Sequence, residues 1–308
     1  MHFSKPALPI SDQIDLLIDR GMVVTDRAIV ENWLKSVSYY RMSGYWLPFE
    51  KPPVGTETRS KQFLKGTKFD DVMALYIFDR QLRLTIMEAV ERIEIALRAR
   101  WTFRMVEMHG SHAHMQPDAF KLHYRDGIYW SMMNGMAGSN KKSDEVFVKH
   151  YSKKYTSPEM PPLWAMTELI TFGELSIWIA MTKSISVKTD LARDMGLGSP
   201  KNLEGVIQNI ALVRNKCAHH SRVWNRRFIK RVPGVKILQP SLVFDSKGQK
   251  QADNRIYNTL VFLIHMLRQQ ANDTTYAKRL GQMVGLQTKS QQEAMGFPAD
   301  WENLPIWR

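Results

Sequence analysis

Apolar residues recur every three to four positions along most of the chain, the period of an α-helix that buries one face. Ile14, Leu17 and Ile18 share one side of a first helix that Ser11 can cap, and Gly21 stands where a left-handed terminating residue is expected. Thr25 or Asp26 then caps a second helix carrying Ile29, Val30, Trp33, Leu34 and Val37, so residues 11–37 predict a helical hairpin. Between Tyr45 and Lys68, Pro48, Pro52, Pro53, Gly55 and Gly66 predict loop or short extended structure.

From Asp71 to about Glu107 the chain holds neither Pro nor Gly, while Val72, Leu75, Tyr76, Leu82, Ile86, Val90, Ile93 and Leu97 keep helical spacing, which predicts one long helix. Its charged residues, among them Arg80, Arg83, Glu88, Glu91, Arg92, Glu94, Arg98 and Arg100, read mainly as a solvated face with i,i+4 pairs. Residues 109–162 are rich in Gly, Pro and Ser and read as an insertion with only short helices, such as Glu145 to Tyr155. Pro161 and Pro162 introduce a helix from Leu163 that Gly173 interrupts before Leu175 to Met181. Ser199-Pro200 opens another, with Leu203, Val206, Ile207, Ile210, Val213 and Cys217 on one stripe. Short β-branched runs between 232 and 250 allow a small β-hairpin, and a last helix runs from Asp253 through Leu267. The whole predicts an all-α protein: an N-terminal helical region over 1–68 and a helical domain over 69–308, with its insertion at about 109–162.

Composition narrows the class. A chain of 308 residues can bury a large core, and its lone cysteine, Cys217, forms no intrachain disulfide. No apolar run reaches the roughly 18 residues of a spanning helix, and the N-terminus lacks the pattern of a secretion signal, so a soluble cytoplasmic protein is expected. With 43 Lys+Arg against 30 Asp+Glu, the formal charge of +13 attracts polyanions. Nucleic acid leads over a membrane surface, because neither a basic amphipathic anchor nor a lipidation motif is evident.

The chemistry concentrates in Arg214-Asn215-Lys216-Cys217-Ala218-His219-His220. A guanidinium stays charged and forks onto phosphate oxygens, an imidazole titrates in the range of a general acid or base, and Asn215 can orient His219 or bind phosphate. On a straight helix Arg214 and His219 diverge by about 140°. Either the helix ends by His219, or a second copy completes the site across a two-fold axis, and the homodimer is the favoured arrangement. Arg222, Trp224, Arg226, Arg227, Phe228, Lys230 and Arg231 interleave cations with aromatic rings, a composition that grips RNA, and Tyr40 with Arg41 offers a further contact. Lys141, Lys142, Lys149, Lys153 and Lys154 form a second basic tract, less specific because Asp144 and Glu145 are interspersed. His109, His112 and His114 have no neighbouring Cys and no evident fourth ligand, so they read as loop histidines and no metal is expected.

The order Arg-Asn-x-x-x-His resembles the R-x4-6-H signature of HEPN ribonucleases. Ser38-Tyr39-Tyr40-Arg41-Met42-Ser43-Gly44-Tyr45, Phe78-Asp79-Arg80-Gln81-Leu82-Arg83, Glu91-Arg92-Ile93-Glu94, Pro162-Leu163-Trp164, Phe172-Gly173-Glu174-Leu175 and Cys217-Ala218-His219-His220-Ser221-Arg222-Val223-Trp224-Asn225 are similar to the Abi-like family, of the AbiD and AbiF type. The resemblance implies a HEPN-type helical bundle and a metal-independent, cofactor-free endoribonuclease. It also implies a phage-defence toxin held in check by a structured noncoding RNA, with Arg214, Asn215 and His219 or His220 at the site. The products it implies are a 2′,3′-cyclic phosphate and a 5′-hydroxyl. The rivals are a non-catalytic RNA-binding regulator on the same scaffold, or a DNA-binding repressor using the hairpin at 11–37.

Overall fold

The computed structural model describes residues 2, 7–55, 58–122, 127–244, 253–270 and 275–308. Among them the architecture is all-α, with isolated bridges such as Val23 to Lys68 and no β-sheet. Packing divides the chain into two units, Met1–Leu82 and Arg83–Arg308.

In the first unit, α1 (Ile10–Asp19) and α2 (Arg27–Val37) form the expected hairpin, followed by α3 (Tyr39–Trp46). Asp26 caps α2 by accepting from the amides of Ala28 and Ile29 at 2.8 and 3.1 Å. Ser11 does not cap α1, which starts one residue earlier, at Ile10; the hydroxyl donates to Asp12 instead. Ile14 and Leu17 are buried, and Gly21 takes the left-handed conformation at φ 91°. The long helix α4 (Phe69–His109) begins in this unit, where the Tyr45 hydroxyl donates to the fully buried Asp79 at 2.6 Å.

In the second unit α4 continues with Ile86, Val90, Ile93 and Leu97 sealed from solvent, as their spacing predicts, and Trp101 and Met105 extend that buried stripe. The insertion holds α5 (Ile128–Lys142) and α6 (Val146–Lys154). α6 falls where the sequence places it. α5 does not follow from the sequence, because Gly135 and Gly138 disfavour a helix; its Tyr129, Met132 and Met136 are buried, α5 packs against α8, and tertiary packing overrides propensity.

Next come α7 (Leu163–Met166), α8 (Phe172–Met181), α9 (Ile185–Asp194) and α10 (Pro200–Ala218). The break before α8 lies at Thr171, not Gly173: Thr171 and Glu174 form a reciprocal capping box, and Gly173 sits inside the helix. After α10 the described residues contain no hairpin; Lys236–Ser241 is a 3₁₀ helix, and residues 245–252 lie outside the described set. The Asn258 side chain accepts from the Val243 amide and donates to the Val243 carbonyl at 2.9 and 2.8 Å, and the Asp253 amide donates to the same carbonyl at 2.9 Å. Then α11 (Ile256–Gln270), α12 (Tyr276–Gly285) and α13 (Lys289–Glu293) lead to an aromatic cluster of Tyr257, Phe297, Trp301 and Trp307. Among the described residues, no helix is long and apolar enough to cross a membrane.

Candidate functional site

Helix α10 is built as its pattern dictates. Ser199 caps it by accepting from the Asn202 amide, Pro200 occupies its first turn, and Leu203, Val206, Ile207, Ile210, Val213 and Cys217 are all buried against a core formed with α8, α9 and α11. Each such aliphatic side chain contributes about 1.5–3 kcal/mol over exposure, enough to hold the rotation of the helix about its axis. That rotation decides where the remaining residues point: Arg214 is half-buried at the edge of the stripe, while Asn215, His219 and His220 are exposed.

The helix ends at Ala218, so His219 is its C-cap. The His220 amide donates to the Cys217 carbonyl at 2.9 Å and the Ser221 amide to the Lys216 carbonyl at 2.8 Å, the two bonds of a Schellman turn. His220 adopts φ 54°, a left-handed conformation normally taken by glycine at this position. Both histidines therefore stand at the solvent end of α10, with His219 one turn from Asn215 and its amide bonded to the Asn215 carbonyl at 3.0 Å.

Arg214 lines a groove of about 550 Å³ whose opposite wall is α4. Glu88, Glu91 and Glu94 project into it at i,i+3 spacing, joined by Glu168 and Arg98. Two of these carboxylates are held: Glu94 accepts from Arg98 at 2.6 Å, and Glu88 pairs with Arg279. The Arg214 Nη1 donates to the Asn215 Oδ1 at 3.4 Å, and its Nε is buried without a hydrogen-bond partner among the described residues. Asn215 in turn faces the start of α8, where a methyl group on Gly173 would come within 4.0 Å of the Asn215 Nδ2. The arrangement thus joins α4, α8 and α10. By composition the α4 carboxylates read chiefly as a solvated face; their i,i+3 recurrence is the available signal that one face of α4 serves a neighbour.

The basic segment after the motif lies along α10. Asn209, 2% exposed, donates from Nδ2 to the Lys230 carbonyl at 2.6 Å and accepts from the Thr259 hydroxyl at 2.9 Å. Lys230 bonds Gln208, and a methyl group on Gly205 would lie 3.3 Å from the Pro233 ring, so the absence of a side chain there admits the returning strand of chain. Arg227, Lys230 and Arg231 are exposed, and Arg222 and Arg226 half-buried, with the Arg226 Nε donating to the Arg222 carbonyl at 2.6 Å. Trp224 corrects the expectation placed on it. It is 1% exposed and its indole donates to the Gln291 carbonyl at 3.1 Å, so it anchors this segment to α13 and has no free face for a base.

The other predicted contacts lie elsewhere. Tyr40, 89% exposed, and the half-buried Arg41 belong to α3 in the first unit. The hairpin of α1 and α2 carries Asp12, Asp15, Asp19, Asp26 and Glu31 against Arg20, Arg27 and Lys35; Arg27 is paired with Asp15 and Lys35 with Glu31, a poor surface for duplex DNA. Arg104, which with His109 repeats the Arg-x4-His spacing, is ion-paired to Asp194 at 2.7 Å and serves the packing of α4 on α9. His114 is not a loop histidine. It is fully buried, and burial with the nearby His112 pushes its pKa down to about 4.

A family model described as Abi-like protein matches residues 32–225, a span that runs from α2 through the Schellman turn. No curated protein and no solved structure matches the chain.

Proposed function

The chain belongs to the Abi-like protein family, which links it to abortive infection and phage defence, and from that premise we propose that it is a metal-independent endoribonuclease of the HEPN kind. The observation that carries this reading is the end of α10: a half-buried guanidinium facing a groove, an amide beside it, and two imidazoles in solvent one turn further on.

One imidazole, that of His219 by preference, takes the proton of a ribose 2′-hydroxyl, and O2′ attacks the adjacent phosphorus. A second imidazole donates a proton to the departing 5′-oxygen, leaving a 2′,3′-cyclic phosphate and a 5′-hydroxyl. Arg214 holds the non-bridging oxygens as charge builds on them, and Asn215 orients the pair. Because the nucleophile belongs to the substrate, in-line positioning makes the attack unimolecular. The protein acts in the cytoplasm as a toxin of the AbiD or AbiF type, restrained by a structured noncoding RNA.

A homodimer supplies the second imidazole. Its support is an uncovered apolar face beside Arg214, where Leu84, Ile95, Phe103 and Trp164 are each more than half exposed around two adjoining grooves. Such a face favours association with a like surface.

Arg214→Ala and His219→Ala are expected to abolish cleavage of total RNA by the purified protein while leaving its fold and RNA affinity nearly unchanged. End-group analysis of the products reads the chemistry, and a double variant that still cuts ends the assignment. One observation favours the rival, a non-catalytic RNA-binding regulator: Glu91 and Glu168 in the groove weaken the field that Arg214 presents to a phosphate. Binding of RNA with no new ends in the wild-type protein would establish that rival.

A further inference from the structure

Helix α6, in the insertion, is held to the rest of the fold by a narrow stripe. Val148 is its buried residue, and Tyr151 is half-buried with its hydroxyl donated to the Pro158 carbonyl at 2.8 Å. The remainder of the helix is exposed. Lys149, His150, Lys153 and Lys154 occupy one arc of roughly 140° on that surface, arranged as two i,i+4 pairs, Lys149 with Lys153 and His150 with Lys154. The like charges of Lys149 and Lys153 at that spacing repel and weaken a helix. Asp144 offsets the first by pairing with Lys149 at 3.0 Å, but it is 98% exposed, so the pair is worth little. Lys141 and Lys142, at the exposed end of α5, extend the same positive field. A helix so poorly buried and so repelled along one face gains most from a polyanion laid across it.

Aromatic edges flank the cations. Phe147, two turns before Lys154 on nearly the same side of the helix, is 37% exposed; Tyr155, which ends the helix, is 46% exposed, with the Lys154 ammonium 5.3 Å and the Tyr151 ring 5.1 Å from its ring centroid. Cations beside accessible rings suit a strand whose bases are unpaired, because phosphates meet the lysines while bases stack on the rings.

We propose that the exposed face of α6, with Lys141 and Lys142, is a second RNA-binding surface that holds single-stranded RNA apart from the Arg214 groove. This deepens the reading above and rests on RNA being the molecule handled there.

The test uses the full-length chain carrying Arg214→Ala, so that the probe stays uncut, and compares it with the same protein carrying Lys149→Gln, Lys153→Gln and Lys154→Gln. Affinity for a fluorescent single-stranded oligoribonucleotide of about 20 nucleotides is measured across salt concentrations. Three lost phosphate contacts at a slope of about 0.7 each reduce the log–log salt dependence by about 2 and weaken binding roughly 100-fold at 0.1 M salt. A duplex of the same length competes poorly, and Lys→Arg at the three positions restores binding, whereas a merely structural role would not be rescued by charge. Unchanged affinity and slope in the Gln variant overturn the proposal. So does lysine-dependent association with phosphatidylserine vesicles in place of RNA. The nuclease reading fails separately: a lysine-intact protein with Arg214 present that binds the probe and never cuts RNA sinks it while leaving this surface standing.

Discussion

Replacing Asn209 by alanine removes a side chain that ties α10 both to the core and to the basic segment beside it. Two hydrogen bonds go, to the Lys230 carbonyl at 2.6 Å and from the Thr259 hydroxyl at 2.9 Å. Each is worth about 0.5–1.5 kcal/mol net. Thr259 is 1% exposed, so its hydroxyl is left without solvent, a further cost of about 1–3 kcal/mol. The total is about 2–6 kcal/mol. Urea denaturation followed by helical circular dichroism should show a lower midpoint at unchanged slope. Thr259→Val should cost less when Asn209 is already alanine, because the hydroxyl stranded by the first change is removed by the second; the coupling should be about 1 kcal/mol or more. RNA affinity should fall as well, since one of the ties that hold Arg227, Lys230 and Arg231 along α10 is lost. A loss below 1 kcal/mol, or two strictly additive single changes, would refute the assignment of Asn209 as this latch.

Two further outcomes separate local strain and burial from catalysis. His220→Gly relieves the left-handed strain of about 1–2 kcal/mol and restores up to about 1 kcal/mol of chain entropy to the unfolded state, so a net gain of about 0.5–1 kcal/mol in stability is expected, read as a higher melting temperature. Retained cleavage in that variant leaves His219 as the working imidazole, and lost cleavage transfers the role to His220. For His114, burial holds the folded pKa at about 4 against 6.5 when unfolded, so below pH 6.5 the unfolded chain binds the extra proton. Its stabilising share is complete above 6.5, is lost as pH falls towards 4, and amounts to about 3 kcal/mol. His265, lowered by burial, works in the same direction. His114→Leu should flatten the acid limb of a stability–pH curve; an unchanged limb would show that His114 is not the group responsible.

Much of the architecture was readable from the chain alone, because a 3.6-residue apolar period is a local statement about which face is buried. Val72 to Leu97 on α4 and Leu203 to Cys217 on α10 announce long helices, and Asp26 and Ser199 announce where two of them start. The basic excess and the Arg214-to-His220 segment are likewise properties of the residue order. What residue order leaves undecided is which exposed face meets which. Trp224 reads as a stacking ring and is instead enclosed beneath α13, since an aromatic next to arginines looks the same in either setting until its neighbours are placed. α5, with its two internal glycines, is a helix because α8 covers it, and Asn258 of α11 bonds both backbone groups of Val243, a pairing the residue order does not announce. Only the tertiary structure brings Glu88, Glu91 and Glu94 opposite Arg214 and lays Lys230 beside Asn209. Such contacts join positions far apart in the chain, and their energies depend on distance and burial, which no local pattern encodes.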